Sequence, residues 1–470
     1  VLDFIEFVVL LLHTQMALFA TACHGPNRPR RVGWLAVTPM AAANFAALAG
    51  SKVDWATIEP RCRQPRKRMS SRHRQLDFDD LRSKGIRWNI ANTWAWLLAG
   101  LLVLPLVPAA QAQAVRPQLL TSGLNHPWAL AFLPSGQMLV TERPGRLRLV
   151  EANGSLRPPI SGVPEVVAQG QGGLLDVIVD SDFSNNRTLF FCFAQAADSG
   201  VGNSTALARA RLSTQGDRLD DVRVIFSQKP RFASNAHFGC RIVEGRKDGK
   251  VDGTLFLTLG DRFRRMADAQ TLDNHHGKIV RIDKNGSIPK DNPFATNGRG
   301  LPEIWSYGHR NLQGAALAPD GRLWVHEHGP QGGDEINLPE PGRNYGWPIV
   351  TYGENYGGGR IGEGIGSKDG MEQPIHYWAP SIAPSGMAFL TSDRYGPAWK
   401  GNLFIGALRA RHLVRVEWRA EGNSARVLRE TQLLTDLGER IRDVRQGPDG
   451  LLYLLTDSSN GRLIRLLPAP

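Results

Sequence analysis

His237 stands in "SNAHFG", at the edge of a short apolar segment, and Asp261 closes the next one, "LFLTLGD". If the two segments are neighbours, a carboxylate orients that imidazole. This is the usual arrangement for taking a proton from a hydroxyl. A lone histidine at a strand edge is more often a packed structural group. Arg310 and Asn311 sit in "YGHRNLQG", between the apolar runs "PEIWS" and "AALAPDGRLWV". They are either turn residues or groups aimed at something bound. The densest polar segment is "HEHGPQGGDEINLPEPGRNYGWP", 326–348. His326 and His328 share a face if they lie on a strand, but no third transition-metal ligand accompanies them. The Gly329-Pro330 turn, with Asp334 and Glu335 after it, better suits a hard cation bound by carbonyl and carboxylate oxygens. Arg409 and Arg411 follow a later strand, and "GERIRDV" sets Arg440 and Arg442 two apart. On a strand both guanidiniums face one way. They repel each other unless an anion lies between them, and carboxylates match such forks. Solvated rim arginines are the alternative.

The segments around these residues repeat. "WALAFLPSGQMLVTERPGRLRLV" reads as strand, Pro-x-Gly turn, strand, Pro-Gly turn, strand. "GAALAPDGRLWVHEHG" and "RDVRQGPDGLLYLLTDSSNGRLIRLL" do the same, and three looser versions lie between them. The strands are short, rich in β-branched and aromatic residues, and bounded by Gly, Asp, Asn and Pro. The composition agrees: 50 glycines and 30 prolines in 470 residues suit a turn-rich all-β chain. About six such units fill the chain from Val115 onward, the signature of a β-propeller of four-stranded blades. A pair of β-sandwiches is the alternative, and the Pro-Asp-Gly recurrence counts against it. Long loops over 262–300 and 351–380 interrupt the spacing and are where such a fold builds a site.

Charge and cysteine usage narrow the class. Residues 1–114 hold 14 of the 56 Lys and Arg and 7 of the 44 Asp and Glu, so they carry +7 of the formal +12. The densest basic run, "RCRQPRKRMSSRHR", lies upstream of everything that looks packed. Nucleic-acid binding, which needs a basic stripe on the folded domain, is not expected. The four cysteines form no CxxC pair. Cys192 and Cys240 form either one disulfide or two buried thiols.

"WAWLLAGLLVLPLVP", 94–108, follows Arg82, Lys84 and Arg87 and precedes "AAQAQA". Basic, apolar, A-x-A is the order of a secretory signal. The run is short for a membrane span. The expected organisation is a non-native or disordered extension over 1–68, a basic leader and signal over 69–112 starting near Met69, and a catalytic propeller over 113–470. Secretion or periplasmic residence follows, with no stable membrane span after cleavage.

The ordered set "GQGGLLD", "HFG…LGD", "YGHRNLQG", "EHGPQGGDEIN…NYGWP", "ALRARHLVRV" and "RIRDV…PDGLLYLLTD" resembles the soluble pyrroloquinoline-quinone (PQQ)-dependent sugar dehydrogenases. The resemblance spans roughly 118–467. It implies a six-bladed propeller carrying PQQ and calcium (Ca2+) on one face. It makes His237 the base, Asp261 its support, and Arg310 the group that stabilises negative charge. Gln171, Arg310, Asn311, Ser381, Arg409, Arg440 and Arg442 become cofactor contacts. The carbonyls of Gly329 and Pro330 become ligands of the cofactor calcium. Glu335 and Tyr345 match part of a second calcium site, whose following loop "TYGENYGGGR" diverges. Arg409 stands where the glucose enzymes have lysine, and Ser381 where they have threonine. The implied activity is oxidation of an aldose to its lactone, with electrons passed to an external acceptor. A calcium-dependent lactonase-type hydrolase and a cofactor-free binding module are the alternatives.

Overall fold

The computed structural model describes residues 115–469 apart from 199. The expected extension and leader lie outside the described residues. Within them, 24 strands form six antiparallel sheets of four. This is the six-bladed β-propeller the repeats imply.

The innermost strands are β2 (Pro127–Phe132), β6 (Leu174–Val179), β10 (Gly239–Lys247), β14 (Leu312–Leu317), β18 (Pro384–Phe389) and β22 (Ile441–Gln446). Each packs on the next, and β22 returns to β2, so the ring closes. Closure uses both ends of the domain. β1 (Val115–Leu124) pairs with β24 (Gly461–Pro468), completing the sheet that holds β23 (Leu452–Thr456) and β22. An unpaired edge between first and last blade is thereby removed.

The recurring Pro-x-Gly is one structural device used three times. It turns the chain from innermost to second strand at Gly136, Gly321 and Gly450, each with φ near +80°. The amides of these glycines donate to Leu133, Ala318 and Gly447. A side chain there would sit in the left-handed region, which glycine tolerates.

Alternate residues of the inner strands meet between blades. Leu174, Val177, Phe191, Phe193, Ile242 and Leu257 belong to one buried cluster, and Leu130, Val140, Val444, Leu454 and Ile464 to another. Cys192 and Cys240 are joined in a disulfide with Cα atoms 5.8 Å apart, which ties the second blade to the third. Of the two states open from the sequence, the bonded one is adopted.

The expected long loops are more ordered than their composition suggests. Strand β12 (Lys278–Asp283) lies inside 262–300, paired to β11 (Lys250–Leu259) over six residues. Its "KIVRID" alternation is short enough to be lost among the flanking polar residues. The segment 338–375 runs alongside Tyr307 and then pairs Glu354 with Gln331. It therefore reaches the face where the site is built.

Candidate active site

In each blade the start of the innermost strand pairs with the end of the second. Gly239 faces Leu259, Leu312 faces Glu327, Pro384 faces Ala407, and Ile441 faces Thr456. Residues just outside those pairs are therefore brought together on one face. His237 and Asp261 each lie two residues beyond the Gly239–Leu259 pair. Asn311 and His328 lie one beyond theirs, as do Arg440 and Asp457. The chain ends of the hairpins, rather than any one loop, make the site.

His237 is buried, and its Nδ1 lies 2.6 Å from Oδ1 of Asp261. Asp261 is fully buried. Its Oδ1 also accepts the Phe263 amide at 2.8 Å, and Oδ2 accepts the Trp347 indole N–H at 2.8 Å. With Nδ1 committed to the carboxylate, Nε2 is the imidazole nitrogen left to exchange a proton. Burial pushes the His237 imidazole below its usual range, Asp261 opposes this, and the charges of Arg310 and Arg262 add to it. Burial alone would raise the Asp261 carboxyl. The bond and charge of His237, the charge of Arg310 and the Phe263 amide outweigh it and hold the carboxyl low. The pair thus favours neutral imidazole beside carboxylate, the protonation state of a base.

His237 has φ +53°, an uncommon backbone for a residue with a side chain. Several neighbours hold it there. Its amide donates to Gln171 Oε1 at 2.8 Å, and its carbonyl accepts from Arg262 Nη1 at 3.3 Å. Gly260 presses against the same carbonyl, because a Cβ at 260 would lie 2.2 Å from it. Arg262 is fully buried, stacks over Phe238 at 3.6 Å and also donates to Ser234. Burial pushes its guanidinium down to about 9, with Asp261 opposing.

Arg310 and Asn311 are both buried. The Arg310 amide and the His309 ring are tied to Glu327. His309 also bonds Ser306 and stacks on Tyr345, so it is a structural prop. Arg310 Nη1 donates to the carbonyls of His328 and Gly329 at 2.9 Å each, and Nη2 approaches Tyr356 Oη at 3.5 Å. Asp334 orders the neighbouring loops, accepting from Gly329 N, Ser381 Oγ, Ile382 N and Ala383 N. The Ser381 hydroxyl is thus turned towards Asp334. Exposed Arg409 donates to the Ser381 carbonyl at 3.0 Å, at the rim.

A cavity on this face is lined by Gln171, Asn311, His328, Arg440 and Arg442, among others, with Arg143 and Asp457 beside them. Arg442 is buried and donates to Asp457 at 2.7 Å, while Arg440 reaches the same carboxylate at 3.3 Å. Burial would raise that carboxyl, but the Arg442 charge and hydrogen bond hold it well below the usual carboxylate range. His328, expected on a shared face with His326, lines the cavity and donates to the Pro384 carbonyl at 2.6 Å. Burial pushes it down to about 4. His326 is instead fully buried, and neither ring nitrogen has a hydrogen-bond partner among the described residues.

Among the described residues no group of three or more His, Cys, Asp or Glu converges as a metal site. A cation near Gly329 would rest on carbonyls. Glu335 bonds Asn337, and burial pushes its carboxyl up to about 8, with the charges of Glu327 and Asp334 adding to the rise. The Tyr345 hydroxyl donates to the Leu338 carbonyl.

Sequence reasoning missed Arg143, Asp457, Arg262, Glu327, Trp347 and Tyr356. The first two carry a usable signal. Each directly follows a second strand, "MLVTE" or "LYLLT", much as Asp261 follows "LFLTLG".

A sequence profile described as "Glucose / Sorbosone dehydrogenase" matches residues 124–465. The chain is 45% identical over 377 residues to an aldose sugar dehydrogenase, YliI, of Escherichia coli (strain K12), covering 80% of this chain and 98% of that one. A crystal structure of a glucose dehydrogenase superposes with a TM-score of 0.71 at 48% identity, covering 76% of this chain and all of that one. A PQQ-bound aldose sugar dehydrogenase from Streptomyces coelicolor superposes with a TM-score of 0.60 at 27% identity, covering 76% and 98%.

Proposed function

The chain belongs to the glucose/sorbosone dehydrogenase family, and from that premise we propose that it oxidises aldose sugars to lactones with PQQ and calcium. The single observation that carries the reading is the placement of the His237–Asp261 pair beside a cavity lined by buried arginine. A proton acceptor and an anion receptor share one face.

The residues fit an anionic, planar cofactor. Buried Arg310 Nε and Arg442 Nε have no hydrogen-bond partner among the described residues. A donor left so costs free energy that a bound acceptor would recover. Arg440 and Arg442 would hold carboxylates of PQQ, and Arg310 and Asn311 would donate towards the quinone oxygens. Gln171 has its carbonyl oxygen on the His237 amide, and among the described residues its amide nitrogen makes no hydrogen bond. When bound, PQQ supplies the two-electron acceptor, and calcium supplies Lewis-acid polarisation. The candidate calcium ligands are the carbonyls of Gly329 and Pro330. Gly329 already accepts from Arg310, but a carbonyl has a second lone pair.

The chain's own part is positional and acid–base. His237 Nε2 accepts the proton of the anomeric hydroxyl, and Asp261 stabilises the imidazolium that forms. Arg310, stacked over Trp347 at 5.2 Å, keeps a fixed cation opposite that base. Electrons then leave to an external acceptor. A cleaved leader would place the enzyme in the periplasm or outside the cell, and no helix among the described residues is long and apolar enough to cross a membrane.

The test is reconstitution of the purified chain with PQQ and calcium, followed by dye reduction over a panel of aldoses. Sugar-dependent reduction with lactone formation is expected. Lactone hydrolysis without dye reduction would replace this reading with the hydrolase one. Absence of both, with no change in quinone absorbance, would leave only a binding module.

A further inference from the structure

The anion receptor contains one more arginine than the family motifs assign. Arg143 directly follows the strand Met138–Glu142, and its amide donates to the His126 carbonyl at 3.0 Å. This is the same position on its hairpin that Asp457 occupies on the β22–β23 hairpin. Its side chain lines the cavity with Arg440, Arg442 and Asp457.

The charges there do not balance. Asp457 is the acid among the lining residues, and it is fully claimed. Arg442 Nη2 lies 2.7 Å away, Arg440 Nη2 3.3 Å and His126 Nδ1 3.2 Å. Among the described residues the Arg143 guanidinium makes no ion pair or hydrogen bond, and Arg442 Nε is buried without a partner. Three guanidiniums around one carboxylate leave two positive charges in excess. Such an arrangement is costly in a partly desolvated cavity unless an anion completes it. The local backbone makes room for it. Gly173 in "GQGG" has φ +138°, and a Cβ there would lie 1.9 Å from the Arg143 carbonyl oxygen and 2.7 Å from its Cγ. That glycine lets the Arg143 stem lie across the entry to β6.

We propose that Arg143 is a third cationic anchor for the carboxylates of the cofactor, beside Arg440 and Arg442. The inference rests on the PQQ reading and adds a residue to it. PQQ carries three carboxylates, more than the two guanidiniums already committed to Asp457 can satisfy alone. Among the described residues Arg143 is the member of the set whose guanidinium has no bond to give up on entering the complex.

The test is titration of the full apoprotein with PQQ in calcium buffer, followed by tryptophan fluorescence quenching. Loss of one charge-assisted contact should weaken PQQ binding about 10- to 100-fold in Arg143→Gln, with partial recovery in Arg143→Lys. The salt dependence of binding should fall, since one ion contact is gone. The apoprotein melting temperature should not drop, because the substitution removes repulsion. Equal PQQ affinity in wild type and Arg143→Gln overturns this inference alone. A drop in apoprotein melting temperature that Arg143→Lys does not restore also overturns it, by marking the residue as structural. If the wild-type chain binds no PQQ, the functional reading fails and this one with it.

Discussion

The Trp347 indole donates to Oδ2 of Asp261 at 2.8 Å, across 86 residues of sequence. Trp347 belongs to 338–375, the loop beyond the fourth blade's third strand, whereas Asp261 belongs to the third blade. The base pair is therefore braced from a neighbouring blade. Trp347→Phe keeps the ring and removes the donor, leaving a buried carboxylate oxygen short of one bond. Hydrogen bonds to charged groups contribute about 1.5–3 kcal/mol, so kcat should fall about 10- to 100-fold. Steady-state kinetics of the reconstituted enzyme check this, and an unchanged kcat would show that the brace is idle.

The pH profile should reflect a depressed histidine. His237 must be neutral to accept a proton, and its pKa lies below 6.5 because it is buried, with Arg310 and Arg262 adding to the effect. The acid limb of kcat/KM should therefore have its midpoint below 6.5. Protonation is disfavoured in the folded state, so this group's contribution to stability is complete above 6.5 and is lost as pH falls through the lower folded value. Arg262→Gln removes one of the charges and should move the limb towards alkaline pH. A limb that stays in place would mean that Arg262 acts only as a clamp.

Gly260→Ala tests the packing behind the base. The added Cβ would sit 2.2 Å from the His237 carbonyl oxygen. His237 would have to shift, and a misplaced catalytic group costs on the order of 100-fold in rate. Kinetics with far-UV circular dichroism separate this from unfolding. Full activity in a folded variant would refute the contact.

The Cys192–Cys240 bond closes a loop of 48 residues of sequence separation. On chain-entropy grounds its loss should cost about 4 kcal/mol. A Cys192→Ser, Cys240→Ser double variant should melt at lower temperature. The native protein should show no reactive thiol from this pair in denaturant, and a thiol signal there would contradict the bond.

Much of this was legible in the chain itself. Period-two apolar segments and recurring Pro-x-Gly turns determine short strands and tight hairpins, because both are local preferences of backbone and side chain. Their number, about six units, determines the propeller. The residues beyond the strand ends, such as His237, Asp261 and Arg310, are visible because polar groups there interrupt an apolar pattern. Tertiary structure alone decides which ends meet. The β1–β24 closure, the disulfide and the Trp347–Asp261 bond join residues far apart in sequence, and no local periodicity encodes such distances. The three arginines around Asp457 illustrate the same limit. Arg440 and Arg442 share one hairpin of the last blade and Arg143 directly follows a strand of the first, so only the stacking of the first and last blades sums their charges into a site.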